Sequence, residues 1–172
     1  LRQAAMKQFR PYATAMGENK SFVYENWGML LCIAGILGGV FAGTISDHVF
    51  GSRRGPVASI LYAGMLVAVI ACWLSIGTAG VGWSIVAISL CVIGVHGMLS
   101  GTATADFGGS KNAGVVTGVI DGFVYLGSSA QAAIYAGALP VGDAAKVPAN
   151  WAVWPLWMMP VVVLGLVLCA TV

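Results

Sequence analysis

GILGGVFAGTISDHVFGSRRG, residues 35–55, decides the fold. Its first half is uncharged and rich in glycine. Its second half gathers Asp47, His48, Arg53 and Arg54. The surrounding chain is 59% hydrophobic and only 8% charged, with a mean hydropathy of +0.89. A soluble domain carries about 25% charged residues. With so little polar surface, the solvent for most of this chain is lipid. A charged cluster then belongs in water between two membrane spans. The formal charge of +2 is scattered and forms no patch suited to nucleic acid.

Five apolar runs reach the length of about 20 residues that a bilayer requires. They are expected near 22–45, 57–76, 83–105, 113–139 and 154–172. The connections are SDHVFGSRRGP, GTAGVG, DFGGSKN and LPVGDAAKVPAN. Pro56, Pro140 and Pro148 fall at these breaks, as helix boundaries prefer. Residues 1–21 read as a polar, amphipathic stretch ahead of the first span. The chain begins with Leu1 and its last apolar run reaches Val172, so it is expected to be a piece of a longer protein. Cys32, Cys72, Cys91 and Cys169 sit inside apolar runs without metal spacing and read as packing residues. If the spans alternate in direction, Trp27, Trp73, Trp83, Trp151, Trp154 and Trp157 share one membrane face, as an interfacial belt does. Composition leaves the orientation open.

Gly35, Gly39 and Gly43 repeat every fourth residue, as do Gly114, Gly118 and Gly122. Residues at that spacing share a helix face, and glycine there admits a second backbone. Both stripes are expected to be contact faces against other helices. Two polar stripes accompany them: His96, Ser100 and Thr104 in the third span, and Thr117, Asp121 and Tyr125 in the fourth. The hydroxyls can satisfy themselves on their own helix. Asp121 cannot, because a carboxylate at the middle of a span costs about 2.5–3.5 kcal/mol and normally faces a bundle interior or a wet cavity. Glu25 falls at headgroup depth and reads as solvated. DFG at residues 106–108 lacks every companion of a kinase site. Neither a nucleophile–base pair nor a cofactor or metal motif is present in the sequence, so a non-enzyme without cofactors is expected.

The opening stretch resembles the loop between helices 8 and 9 of major facilitator transporters, through Gly43, Asp47, Gly51, Arg53 and Arg54. Its spacing after Asp47 is longer than the usual form. Within that superfamily, AGILGGVFAGTISD, TADFGGSKNAG and GVIDGFVYLGSS resemble the organophosphate:phosphate antiporters, especially the sugar-phosphate exchangers. The resemblance covers the first, third and fourth spans.

It implies an all-α membrane protein whose five spans are helices 8–12, most of the C-terminal six-helix bundle. Residues 1–21 would be an extracytoplasmic loop after a missing helix 7. Loop 46–56 would be cytoplasmic, in a multi-pass protein of the inner membrane. The implied function is secondary transport, exchanging a sugar phosphate or glycerol phosphate for inorganic phosphate by alternating access. A transporter-like membrane sensor of sugar phosphate, or a facilitator for another small solute, are the alternatives. Asp121, His96, Ser100, Thr104, Thr117 and Tyr125 would line the cavity. Gly43, Asp47, Arg53 and Arg54 would form a conformational gate, with Asp47 at the start of helix 11 and the arginines on acids of neighbouring loops or on lipid. Gly35, Gly39, Gly114, Gly118 and Gly122 would pack helices. The partners implied are the phosphorylated metabolite, phosphate, membrane lipid and the missing N-terminal half. Family members grip phosphate with arginines on helices 1 and 7, which would lie outside this chain. Cys32 stands where some carry a carboxylate.

Overall fold

The computed structural model describes residues 1–171, without the side chains at 102, 103, 105–108 and 110. Val172, the expected end of the last span, lies outside the described residues, as do the side chains of Asp106, Phe107 and Ser110 in the DFGGSKN connection. The chain folds as α1 (Arg2–Ala15), α2 (Phe22–Glu25), α3 (Trp27–His48), α4 (Arg54–Leu74), α5 (Gly80–Gly97), a π-helical stretch Met98–Ala103, α6 (Thr104–Ala138) and α7 (Val153–Ala170). Short 3-10 turns at Gly142–Lys146 and Pro148–Ala152 join α6 to α7. Among the described residues five helices are long and apolar enough to cross a membrane, so the chain is an all-α membrane protein. Their order and approximate limits follow the five apolar runs.

The element ends have local causes. Ser21 caps α2 by accepting the Tyr24 amide at 3.3 Å. Pro56 sits in the first turn of α4, where its missing N–H is not needed. The chain reverses between α3 and α4 through left-handed Gly51 (φ +56) and Ser52 (φ +65). The third connection differs from expectation. Helix continues through residues 106–112, broken only at Gly109, whose φ of +61 and ψ of +178 turn the chain back.

Packing centres on α5, which contacts α1, α3 and α4, while α7 packs on α4. Leu61 and Met65 of α4 and Ile85 and Ile88 of α5 are fully enclosed. Gly38 on α3 crosses Gly94 on α5 at close range. A Cβ on Gly94 would stand 2.8 Å from the Gly38 carbonyl oxygen, and one on Gly38 would run into that of Leu90. Gly165 of α7 likewise lies under the Tyr62 ring.

Residues 1–21, expected as a loop, are mostly helix. Ala4, Ala5, Phe9, Tyr12 and Ala13 recur on one face of α1 and are buried, which is why the segment folds onto the bundle. The Phe9 ring lies 4.4 Å from Trp27, and Tyr12 meets Trp151 and Trp154 at 5.4 and 5.8 Å. Trp154 Nε1 donates to the Ala4 carbonyl at 2.8 Å. The Tyr12 hydroxyl accepts the Gly77 amide at 2.8 Å, pinning α1 to the α4–α5 turn. Thus α1 is seated against tryptophans along its length, from Ala4 to Tyr12.

Candidate binding cleft

Leu1 and Arg2 open α1 at a cleft of about 400 Å³ formed with α4, α5, α6 and α7. His96, Asp121 and Tyr125 line it as well. Placement of the acid depends on the π-helical stretch. Its wider turn carries Ser100 to a point where its hydroxyl donates to Asp121 Oδ1 at 3.1 Å. One turn earlier, His96 Nδ1 stands 3.5 Å from the same hydroxyl oxygen. A serine hydroxyl has one proton. With that proton on Asp121, Nδ1–H is the donor to Ser100. Asp121 keeps its second carboxylate oxygen for another donor. The expected stripes on two helices therefore meet in one polar chain, His96–Ser100–Asp121.

The other stripe members separate. Thr104 is buried and turns onto its own helix, donating to the Gly101 carbonyl at 2.6 Å. Thr117 is half-buried one turn before Asp121 and does not line the cleft. Tyr125 is exposed at its wall.

The charged loop holds a hydrogen-bonded acid–base pair. Asp47 accepts from Ser52 Oγ at 3.0 Å and from Arg54 Nη1 at 3.3 Å. Arg54 also donates to the buried Ser46 hydroxyl at 2.8 Å. Asp47 ends α3, where a carboxylate is opposed by the helix dipole, and the guanidinium offsets this. The described partners of Asp47 are thus in its own loop. Arg53 is exposed at the N-cap of α4.

The glycine stripes do not carry the close crossing inside this chain. Gly35 touches Ile93, while Gly39, Gly43, Gly114, Gly118 and Gly122 face open space among the described residues. Gly38 and Gly94, which the fourfold spacing passes over, make the tight contact instead.

Arg2, Gln3 and Lys7 reach the clefts only because α1 is a helix seated on the bundle. Arg2 reaches the cleft and makes no ion pair among the described residues. Gln3 and Lys7, on the same face of α1, line a second cleft of about 610 Å³ toward Trp151. Gln131 of α6 borders both clefts. The repeat Ala4, Ala5, Phe9, Tyr12, Ala13 was the available signal for α1.

No family model matches the chain, and no solved structure is similar to it. Among curated proteins it is 36% identical over 124 residues to the glycerol-3-phosphate transporter of Bacillus subtilis, covering 69% of this chain and 28% of that protein. It is 35% identical over 99 residues to the membrane sensor protein UhpC of Escherichia coli, covering 56% and 22%. A probable hexose phosphate transport protein of Chlamydia trachomatis is 32% identical over 124 residues, covering 69% and 25%. The chain thus spans about a quarter of the length of these relatives.

Proposed function

Because this chain belongs to the organophosphate:phosphate antiporter branch of the major facilitator superfamily, we propose that its protein exchanges a phosphorylated small metabolite for inorganic phosphate across the inner membrane. The observation that carries this reading is the convergence of Arg2, His96 and Asp121 on one cleft. A guanidinium suits phosphate because its planar fork bonds two oxygens at once. Asp121 repels an anion, so a bound organophosphate turns its phosphate toward Arg2 and its hydroxyls toward Asp121. Substrate would be held between two halves that rock around it.

In this reading loop 46–56 is cytoplasmic, and the Asp47–Arg54 pair steadies one conformer. The open faces at Gly39, Gly43, Gly114, Gly118 and Gly122 are available to the other half of the transporter.

The test is counterflow by the full-length protein in phosphate-loaded proteoliposomes, with glycerol 3-phosphate and glucose 6-phosphate. Arg2→Gln should abolish exchange of both organophosphate and phosphate. Asp121→Asn should raise half-saturation at least tenfold for the organophosphate. Full activity in both variants would sink the site assignment.

The likeness to UhpC favours a second reading, a membrane sensor that binds sugar phosphate without moving much of it. Tight binding by purified protein with no counterflow would select that reading.

A further inference from the structure

Gln131 Oε1 is the one buried side-chain oxygen or nitrogen without a hydrogen-bond partner among the described residues. It lies where the two clefts between α1 and α6 join. Such an atom is normally paired, and leaving it unpaired is costly.

The walls on either side differ in kind. On the α1 wall, Arg2 and Lys7 are pure donors and carry positive charge. Neither is engaged by an acid among the described residues. On the α6 wall the hydroxyl protons of Ser128 and Tyr135 are already spent, while exposed Tyr125 keeps its own. Ser128 donates to the Val124 carbonyl at 2.9 Å, and Tyr135 to the Trp154 carbonyl at 3.0 Å. Asp121 offers only acceptors when ionised. The α1 wall therefore asks for an acceptor-rich anion, and Asp121 and Gln131 Oε1 on the α6 wall ask for donors. An organophosphate has both, as phosphate oxygens and carbon-borne hydroxyls.

Resting on the transport reading above, we propose that the organophosphate lies across the cleft, phosphate on α1 and hydroxyls on α6, and that Gln131 Oε1 accepts from one substrate hydroxyl. Gln131 is then a specificity-determining residue that separates organophosphates from inorganic phosphate, which has no carbon-borne hydroxyl. An apolar replacement at this position leaves that hydroxyl unpaired in the bound state, which penalises the organophosphate alone.

The experiment measures half-saturation for glycerol 3-phosphate, glucose 6-phosphate and inorganic phosphate in counterflow by the full-length protein. Gln131→Met, similar in shape, should raise the value for an accepted organophosphate about tenfold or more. Phosphate–phosphate exchange should stay within twofold. Equal changes for organophosphate and phosphate, or none for either, would overturn the proposal. If Gln131→Met does not reach the membrane, Gln131→Leu takes its place, with the same expected and overturning outcomes. Failure of the unmodified protein to exchange any of the three would overturn the transport reading as well.

Discussion

Gly38 of α3 and Gly94 of α5 touch backbone to backbone, so neither position has room for a methyl group. In a membrane, helices associate through close packing of small residues. Gly38→Ala and Gly94→Ala should each destabilise the protein by about 1–3 kcal/mol, the usual cost of overpacking. Gly39→Ala, one residue away in open space, should change little. Thermal unfolding of the full-length protein in detergent checks this, and equal midpoints for Gly38→Ala and Gly39→Ala would contradict it.

Ser100 is the link between α5 and α6 at the cleft. Ser100→Ala removes the donor to Asp121 Oδ1 and separates it from His96. The loss of a partner by a part-buried carboxylate is about 1–3 kcal/mol. Organophosphate binding should weaken roughly fivefold to a hundredfold, as read by isothermal titration. Thr104→Val, which affects only a helix-internal bond, should bind as the unmodified protein does.

Asp47 and Arg54 form a pair that is partly open to solvent, with side-chain exposures of 54% and 22%. Such pairs contribute about 0–1 kcal/mol, so Asp47→Asn should leave the unfolding midpoint nearly unchanged. As part of a gate it should lower the maximal exchange rate while half-saturation moves less than twofold. Weakened binding at an unchanged rate would remove the loop from the gating role.

Trp154 and Tyr12 fasten α1 to the bundle through one hydrogen bond each. Trp154→Phe removes the indole donor to the Ala4 carbonyl, which keeps its place in the α1 helix, and trims a fully buried ring. Tyr12→Phe takes away the described partner of the Gly77 amide. Each should destabilise by about 1–3 kcal/mol, seen as a lower unfolding midpoint. Since α1 carries Arg2, both should also weaken phosphate binding. A fall in stability with phosphate affinity intact would mean that the cleft does not depend on how α1 is seated.

Much of the fold was legible because lipid imposes a simple rule. Long apolar runs must be helices, and the breaks between them carry charge, Gly or Pro. The polar stripes were legible for the same reason, since His96 and Asp121 are costly inside a span. The first segment was not, because α1 is too short and too polar for that rule. Its burial comes from Phe9 and Tyr12 fitting between tryptophans that lie far away in sequence. The DFGGSKN connection was misjudged because a single left-handed glycine, Gly109, reverses the chain without needing a loop.

By itself the sequence determined the membrane class, the five spans, the charged loop at residues 46–55 and the two polar stripes. These follow from solvation of each residue in its own segment. Only the tertiary structure decided that Ser100 joins His96 to Asp121, that Gly38 and Gly94 make the crossing, and that Arg2 and Gln131 face each other's helices across a cleft. Those relationships depend on the rotation and approach of separate helices, which the periodicity of any one of them does not contain.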